Sequence, residues 1–277
     1  MPLRVVRSGV ASNQCRWDIV HGDALQELRR LPRERFDCIV TSPPYYWQRD
    51  YGVAGQIGNE ATIDEYVSGL VQIMAEAKQV LSPTGLLFLN LGDTYYSGKG
   101  QPKGGDRKSK KRRFGLRAVD ASGLGVSPKT AIGIPWRVAL AMIDEGWVLR
   151  APIVWQRADC LVEPSAKDRP WRTYEFIFMF AKSRRYYFNR EELGEEEDVW
   201  RISARPRQNG GLGTAPFPDD LVRKCLVTGC RQGGKVLDPF VGSGTTARVA
   251  VEMGLHATGI DLNEDFCDFA ARDLARL

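Results

Sequence analysis

Apolar residues along the chain form short continuous runs that alternate with longer stretches of helical spacing. The short runs predict buried strands, at residues 17–20, 38–41, 85–91, 235–238 and 257–261. The longer stretches predict helices, at residues 24–28, 62–81, 135–145, 218–229, 245–253 and 264–277. Two more apolar runs, 148–156 and 174–181, are separated by a polar connection with no helical pattern.

Strands that alternate with helices are typical of an α/β fold with a mainly parallel sheet and helices on both faces. The runs at 148–156 and 174–181 have no helix between them, so they predict an antiparallel hairpin at one edge of the sheet. Residues 189–216 show no period and are predicted to be irregular. Because 277 residues can bury a large core, we expect a single domain over residues 1–277.

The composition, 43% apolar and 26% charged residues, is that of an ordinary soluble globular protein. No apolar run is long enough to span a membrane, since spanning needs about eighteen residues. The N-terminal segment lacks the apolar stretch of a signal peptide. We therefore expect a cytoplasmic protein with no membrane partner.

Cysteine and histidine are sparse, with six cysteines and two histidines in the whole chain. Cys225 and Cys230 lie close together, but no second pair or histidine stands at the spacing of a zinc site. No cysteine cluster has the spacing of an iron–sulfur site. The sequence predicts reduced, buried thiols and no bound metal.

A basic run accounts for more than the whole net charge of +5. Between Lys99 and Arg117 nine basic residues stand against one acid, Asp106. The surrounding stretch, 97–130, has no apolar period and is predicted to be a flexible insertion. It is either a solvated loop or a segment that becomes ordered on nucleic acid, and the two are compatible. The candidate phosphate contacts in it are Lys108, Lys110, Lys111, Arg112 and Arg113.

A glycine-rich turn follows the strand predicted at 235–238 and opens a helix. Glycines at such a turn let the backbone bend sharply and let a ligand approach closely. The third glycine of a dinucleotide fingerprint is replaced by Thr246-Ala247, which favours a cofactor without a pyrophosphate over a nicotinamide dinucleotide. A plain structural turn is the alternative. The candidate cofactor contacts at this turn are Asp238, Pro239, Phe240, Gly242, Gly244 and Thr245.

Asp261 ends the strand that follows the glycine turn, some twenty residues later. A carboxylate at that strand tip can accept hydrogen bonds from both ribose hydroxyls of an adenosine group. The alternative is that Asp261 only caps the next helix. Given the turn before it, the sequence favours ribose binding. Asp238 and Asp261 are both expected to lie at exposed strand tips.

Ser42, Pro43, Pro44 and Tyr45 follow an apolar strand and stand where open α/β sheets bind their ligands. An aromatic amine is a poor nucleophile because its lone pair is delocalised into the ring. Two acceptors that hold its two hydrogens can direct that lone pair at an electrophile. The Ser42 hydroxyl and the Pro43 carbonyl are the candidate acceptors, and the prolines restrain the backbone there. Tyr45 can stack on an extruded base; a rigid loop without chemistry is the alternative.

The two motifs together, residues 41–45 and 238–246, resemble those of the N6-adenine/N4-cytosine DNA methyltransferases. The resemblance covers nearly the whole chain, and the motif order is similar to that of the permuted β class. It implies a Rossmann-like fold dependent on S-adenosylmethionine (SAM), with circularly permuted motif order. It also implies that the protein flips a base out of double-stranded DNA and methylates its exocyclic amine, as restriction–modification enzymes do.

The resemblance implies further site residues. Asp23 corresponds to the acid that binds the SAM adenine, and Phe217 lies in the segment that flanks the cofactor. Residues 172–183, together with 186–189, resemble the wall of the target-base pocket. The chain departs from the family at 212–214, where members often carry a histidine, and the short stretch 189–214 leaves little room for a recognition domain. DNA contacts are then expected partly from residues 97–130 and 156–172.

The target base stays open between adenine N6, which is slightly favoured, and cytosine N4. Ser-Pro-Pro-Tyr is commonly associated with cytosine enzymes, whereas residues 45–52 resemble a subgroup that includes adenine enzymes. The competing functions are an RNA or protein methyltransferase, a silent DNA-binding regulator and, least favoured, a dehydrogenase. Comparing methyl incorporation into DNA, RNA and protein distinguishes a DNA methyltransferase from an RNA or protein methyltransferase. A homodimer is compatible with the sequence, which does not fix the oligomeric state.

Overall fold

The computed structural model describes residues 5–96, 125–159, 166–204 and 217–277. Its strands are β1 Val5–Val10, β2 Arg16–His21, β3 Phe36–Thr41, β4 Leu81–Leu91, β5 Val148–Ala158, β6 Tyr174–Ala181, β7 Val199–Ser203, β8 Lys235–Asp238 and β9 His256–Asp261. Its helices are α1 Ala24–Arg30, α2 Ile63–Val80, α3 Ile134–Asp144, α4 Arg190–Leu193, α5 Asp219–Gly229, α6 Thr245–Glu252 and α7 Glu264–Leu274.

The strands form one sheet in the order β1-β2-β9-β8-β3-β4-β6-β5-β7. The central block from β2 to β4 is parallel, while β1 and β6 run antiparallel to their neighbours. The predicted α/β class with a mainly parallel sheet is confirmed. Because the parallel strands end at one edge, the motifs after β3, β8 and β9 are brought together there.

Side chains of the sheet alternate between two apolar layers. Along β3, Cys38 and Val40 pack into the layer covered by α5, α6 and α7, whereas Ile39 packs into the layer covered by α1, α2 and α3, as the two-residue repeat of a strand requires. Phe36 packs on the same side as Ile39 because the strand register shifts between Phe36 and Cys38. Both faces of β3 are covered, which explains why its sequence is a continuous apolar run.

Helix α2 shows how the sequence sets the length of an element. The Thr62 side chain accepts from the Glu65 backbone N–H, and the Glu65 side chain accepts from the Thr62 N–H. These two reciprocal hydrogen bonds form a capping box at the N-terminus of the helix. Apolar side chains at helical spacing bury one face, among them Tyr66, Leu70 and Met74. The helix ends at Val80, two residues before Ser82-Pro83.

The hairpin predicted at the edge is present, since β5 and β6 pair antiparallel from Val148↔Ala181 to Gln156↔Tyr174. It is not the outermost element, however. Strand β7 pairs parallel with β5 outside it, in a stretch predicted to be irregular. Strand β1 was also not predicted, and β4 begins at Leu81 rather than at residue 85. These strands escaped the periodicity because they are short, exposed or interrupted by a proline.

The remaining expectations concern membrane spans, metal sites, the cysteines and the insertion at 97–130. In the described ranges no helix is long and apolar enough to cross a membrane. Among the same residues no group of three or more Cys, His, Asp or Glu side chains could hold a metal ion. Cys15, Cys38, Cys225, Cys230 and Cys267 are free and buried. Most of the insertion predicted at 97–130 lies outside the described residues, which resume at 125.

Candidate functional site

A large cavity opens at the carboxyl ends of β3, β8 and β9, and we call it the glycine-turn cavity. It is closed on its far side by the loop after β3 and by α2. Ten of the residues singled out from the sequence line it: Asp23, Ser42, Pro44, Phe217, Asp238, Pro239, Phe240, Gly242, Thr245 and Asp261. Residues of the Ser42–Tyr45 motif and of the glycine turn, which are far apart in sequence, therefore line one cavity.

Asp238 ends β8 and is buried, with 2% of its surface exposed. Its carboxylate accepts from the Thr41 hydroxyl at 2.6 Å, from the Thr246 hydroxyl at 2.7 Å and from the Phe240 N–H at 3.0 Å. Burial raises the pKa of Asp238 to about 6, although these hydrogen bonds oppose the shift. An exposed strand tip was expected here, and that expectation is wrong, because hydroxyls from β3 and α6 enclose the carboxylate.

Asp261 lies across the cavity and orders the glycine turn. Its carboxylate accepts from the Gly242 N–H and from the Asn263 N–H, both at 2.8 Å. Burial raises its pKa above the ordinary value. Helix α7 is capped by Asn263, whose side chain accepts from the Asp265 and Phe266 N–H groups. Asp261 is therefore not the cap of that helix; its carboxylate holds the glycine turn instead.

The two glycines of the turn have different roles. Gly242 has a φ of +52° and no heavy atom close to where a Cβ would stand, so the turn is open to the cavity. Gly244 precedes α6 with a φ of +90°, and a Cβ there would lie 2.8 Å from the Ala270 Cβ. Gly244 does not line the cavity; it lets α6 pack against α7.

Asp23 and Phe217 flank the cavity from the other two sides. Asp23 caps α1 by accepting from the Gln26 N–H at 2.9 Å, and it still lines the cavity. Phe217 is 8% exposed and precedes α5. Carboxylates at Asp23 and Asp261, aromatic rings at Phe217 and Phe240, and an open glycine turn suit a ligand with a ribose, an aromatic base and a flexible tail.

The Ser42–Tyr45 motif leaves β3 toward the cavity, which Ser42 and Pro44 line. Pro43 and Tyr45 do not line it. The Tyr45 ring lies against Gly92, where a Cβ would come within 2.6 Å of the ring. The Tyr66 hydroxyl donates to the Pro44 carbonyl at 2.9 Å and holds the loop on α2. The motif is therefore fixed from both sides.

The Tyr45 hydroxyl is buried in a polar cluster that sequence reasoning missed. It lies 2.7 Å from Glu175 Oε2, 2.9 Å from Asn90 Oδ1 and 3.3 Å from Ser42 Oγ. Glu175 also pairs with Arg157 at 3.2 Å. Burial, together with the charge of Glu175, holds the pKa of Tyr45 well above its ordinary value. Tyr45 is thus a neutral hydroxyl as well as a ring.

Next to this cluster lies a second concavity, which we call the aromatic hollow. Its lining residues are Leu91, Asp93, Tyr95, Ala131, Pro135, Trp136, Arg169, Pro170, Trp171, Arg172, Tyr174, Glu175 and Phe176. Trp136, Trp171 and Tyr174 are each at least 40% exposed. The Arg169 guanidinium lies 3.8 Å from the centre of the Tyr95 ring. Exposed aromatic rings with arginines are suited to stacking on bases.

The structure brings one part of the predicted pocket wall to the site and not the other. From the segment 172–175, Arg172, Tyr174 and Glu175 line the aromatic hollow. Residues 181–189 lie at the opposite end of β6, where the Tyr187 N–H donates to the Thr84 carbonyl and the Asn189 N–H to the Thr228 carbonyl. The direction of β6, antiparallel to β4, carries them away from the site. Placing 181–183 and 186–189 in the wall was wrong.

Sequence reasoning also missed part of the cavity lining. Tyr51, Gln56 and Glu60 reach it from the loop after β3, and Phe266 reaches it from α7. Tyr51 and Phe266 meet edge to face with ring centres 6.0 Å apart. The aromatic string at 45–52 was the available signal. The five candidate phosphate contacts, Lys108, Lys110, Lys111, Arg112 and Arg113, lie outside the described residues.

Comparisons with known proteins agree with this architecture. A family profile described as DNA methylase matches residues 36–272. The Type II methyltransferase M.Cfr9I of Citrobacter freundii is 42% identical over 265 residues, which cover 92% of this chain and 87% of that protein. M.SmaI of Serratia marcescens, also a Type II methyltransferase, is 40% identical over 93% of this chain and 90% of that one.

Solved structures share the fold. The PvuII DNA methyltransferase, described as cytosine-N4-specific, has a TM-score of 0.71 at 22% identity over 97% of this chain and 88% of that one. A DNA modification methylase of Thermus thermophilus, solved with S-adenosyl-L-methionine, has a TM-score of 0.65 at 22% identity, over 92% of each chain. The chain therefore belongs to the DNA methylase family, as a methyltransferase of the N6-adenine/N4-cytosine type.

Proposed function

We propose that Ser42 and the Pro43 carbonyl hold the exocyclic amine of a flipped base for methylation by SAM in the glycine-turn cavity. One observation carries this assignment: the Tyr45 hydroxyl lies between Ser42, which lines the glycine-turn cavity, and Glu175, which lines the aromatic hollow. Hydrogen bonds through Tyr45 thus link the linings of the two concavities. A methyl donor in one and a base in the other would meet at Ser42.

The residues of the glycine-turn cavity match the parts of SAM. On this proposal Asp261 accepts from the ribose hydroxyls and Asp23 from the adenine amine, which the position of both carboxylates in the cavity lining supports. Phe217 and Phe240 offer apolar walls for the adenine ring. SAM supplies an electrophilic methyl group. The chain contributes the position of that group, since the turn that Asp261 orders sits beside Ser42.

At the motif the chain acts by accepting hydrogen bonds. The amine hydrogens become more acidic as the nitrogen gives up its lone pair, so bonds to Ser42 Oγ and to the Pro43 carbonyl strengthen during transfer. Interactions that strengthen in the transition state raise kcat rather than lower KM. The Tyr66 bond to Pro44 and the packing of Tyr45 on Gly92 hold these acceptors in place.

Duplex DNA approaches, on this proposal, over the aromatic hollow. The hollow presents Trp136, Trp171 and Tyr174 for stacking and Arg169 for phosphate or base contacts. We propose that the basic run at 99–117 adds phosphate contacts, that the whole chain acts as one domain, and that it acts on DNA in the cytoplasm.

Two candidates for the target base stand side by side. The string at 45–52 favours adenine N6 slightly. Ser42 favours cytosine N4, because Ser-Pro-Pro-Tyr is commonly found in cytosine enzymes, and the PvuII enzyme of the same fold is described as cytosine-N4-specific. Both bases offer an amine with two hydrogens to the same pair of acceptors.

Mass spectrometry of the modified nucleosides tests the proposal. The purified protein is incubated with SAM and genomic DNA from a methylation-deficient strain, and the DNA is digested to nucleosides. We expect N4-methylcytosine or N6-methyladenine in reactions with wild-type protein and a large loss of either product with Ser42→Ala. Methyl groups found on cytosine C5, or in RNA or protein instead of DNA, would refute the assignment.

A further inference from the structure

The cluster around the Tyr45 hydroxyl forms a continuous chain from Ser42 to a carboxylate. Ser42 Oγ lies 3.3 Å from the Tyr45 oxygen, and the Tyr45 oxygen lies 2.7 Å from Glu175 Oε2. Asn90 supports the same carboxylate, because its side-chain N–H donates to Glu175 Oε2 at 3.3 Å and to the Phe176 carbonyl at 3.1 Å. This series of hydrogen bonds thus begins at Ser42 and ends at Glu175.

The chemistry of the groups fixes the direction of these hydrogen bonds. Two acceptors compete for the single hydrogen of the Tyr45 hydroxyl, Glu175 Oε2 at 2.7 Å and Asn90 Oδ1 at 2.9 Å. The bond to the carboxylate is shorter and charge-assisted, so Tyr45 donates to Glu175. The Tyr45 oxygen then accepts from Ser42, which donates its own hydrogen away from the cavity. The lone pairs of Ser42 Oγ are left to accept an amine hydrogen. All donors therefore point toward Glu175.

Glu175 has a charge partner and a path to water. Arg157 Nη1 donates to Glu175 Oε1 at 3.2 Å, and Arg157 is itself held by a bond from Nη2 to the Arg172 carbonyl at 3.1 Å. The Glu175 side chain is 13% exposed, where it borders the aromatic hollow. It can hold a negative charge before the reaction and release a proton to solvent after it.

We propose that Glu175 is the terminal acceptor of the proton that the base amine loses, reached through the hydroxyls of Ser42 and Tyr45. This inference rests on the proposed role of Ser42. The bond between sulfur and methyl carbon breaks as the bond between carbon and nitrogen forms. The nitrogen proton passes to Ser42 Oγ, the Ser42 proton to the Tyr45 oxygen, and the Tyr45 proton to Glu175. Ser42 and Tyr45 end neutral, and Glu175 ends protonated.

The reaction needs such an acceptor. The methylated amine carries a positive charge until it loses a proton, and that loss restores its conjugation with the ring. A serine hydroxyl alone is too weak a base to keep the proton. Glu175 is the acid that the relay reaches, while Asp238 on the other side is already occupied by Thr41 and Thr246. A positioned base is worth about 10²–10⁴-fold in rate.

Two variants separate a relay from mere support of Tyr45. Glu175→Gln keeps the size of the side chain and one acceptor oxygen but removes the negative charge and most of the basicity. Tyr45→Phe keeps the ring packed on Gly92 and the ion pair between Glu175 and Arg157. It removes the hydroxyl that links Ser42 to Glu175 and so interrupts the proton path. Glu192→Gln, on the exposed helix α4, is the matched control. The readouts are single-turnover methylation with radiolabelled SAM and genomic DNA, SAM and DNA affinity, and the pH profile of the rate.

We expect Glu175→Gln and Tyr45→Phe each to lower the single-turnover rate about 10²-fold at unchanged affinity for SAM and DNA. The wild-type rate should fall more steeply in acid than the rate of Glu175→Gln. Tyr45 and Tyr66, whose pKa values are raised by burial, stay neutral throughout, and Arg157 lies against Glu175. Because burial also raises the pKa of Asp238 and of Asp261, the readout is the difference between wild type and Glu175→Gln at each pH.

Two results would overturn the relay. One is a wild-type rate in either variant. The other is a slower Glu175→Gln enzyme that keeps the full wild-type acid loss, since Glu175 would then only position Tyr45. Either result leaves the proposed function standing if wild-type protein still forms the methylated base and Ser42→Ala does not. If wild-type protein forms no amine-methylated base, the proposed function fails first.

Discussion

Thr41 donates its hydroxyl hydrogen to Asp238 Oδ1 at 2.6 Å, and both residues are buried. Thr41 ends the strand that precedes the Ser42–Tyr45 motif, and Asp238 ends the strand that precedes the glycine turn. Thr246, from the helix after that turn, reaches the other carboxylate oxygen. Asp238 thus joins three elements, and the position of Ser42 relative to the glycine turn depends on it.

Asp238→Ala should destabilise the whole protein. It leaves two buried hydroxyls and one N–H without their acceptor, and we expect the free energy of unfolding to fall by about 2–4 kcal/mol. Urea denaturation followed by circular dichroism measures this. Asp220→Ala, which removes an exposed carboxylate on α5, should change stability by less than about 0.5 kcal/mol. An unchanged midpoint for Asp238→Ala would contradict the structural role.

The charge of Asp238 should make stability depend on pH. Burial raises its pKa to about 6 from 3.8, so in this range the folded state holds the proton more tightly than the unfolded chain does. Stability from this group is therefore full below about pH 4 and is lost as the pH rises through about 6, by roughly 3 kcal/mol. Asp238→Asn should abolish that loss.

Unfolding free energies of wild type and Asp238→Asn between about pH 4 and 7.5 give the test. The quantity compared is the difference between the two proteins at each pH, because other groups titrate equally in both. We expect the variant to gain on wild type as the pH rises. A difference that does not vary with pH would show that Asp238 titrates normally.

Much of the fold was predictable because local pattern and burial agree. The run at 38–41 is apolar throughout since both faces of β3 are covered. Asp261 was placed at the cavity because the spacing from a glycine turn to the next strand tip is set by one helix. Strand β7 could not be found in the same way, because it is only five residues long and pairs with β5, which is distant in sequence.

The candidate site was predictable where residues close in sequence determine the local geometry. It was not predictable where a site residue depends on partners that are distant in sequence. Ser42 and the glycine turn lie together because parallel strands end at one edge. The Tyr45 hydroxyl was overlooked, since its partner Glu175 lies 130 residues away on a strand whose direction the sequence leaves open. Because β6 runs antiparallel to β4, residues 186–189 lie at the end of the sheet opposite the site. Burial of Asp238 was missed because two threonines, one from another strand, enclose it.

Asp261→Ala should weaken SAM binding about ten- to hundredfold, the loss of one charge-assisted hydrogen bond. The structure adds a second reason: the Gly242 N–H loses its acceptor, and the turn loses its order. Calorimetry with SAM measures the affinity, and thermal melting shows that the fold persists. Wild-type affinity in this variant would remove Asp261 from the cofactor site.

Ser42→Ala should slow the chemistry without weakening binding. Its hydrogen bond to the amine strengthens only as the methyl group moves, so its loss should lower kcat by about 10²–10³-fold and leave KM nearly unchanged. Single-turnover methylation and separate SAM and DNA titrations measure the two effects. Ser42→Thr, which keeps a hydroxyl, tests whether the acceptor alone is needed. A Ser42→Ala enzyme at the wild-type rate would remove the proposed mechanism.

The basic run should bind DNA through phosphates and not through sequence. Neutralising Lys110, Lys111, Arg112 and Arg113 should weaken binding to all DNA sequences alike. Each lost contact should make the plot of log K against log salt shallower by about 0.9. Arg184→Gln with Arg185→Gln is the control, because these arginines follow the end of β6 opposite the aromatic hollow. An unchanged salt slope in the first variant would mean that the run only keeps the loop solvated.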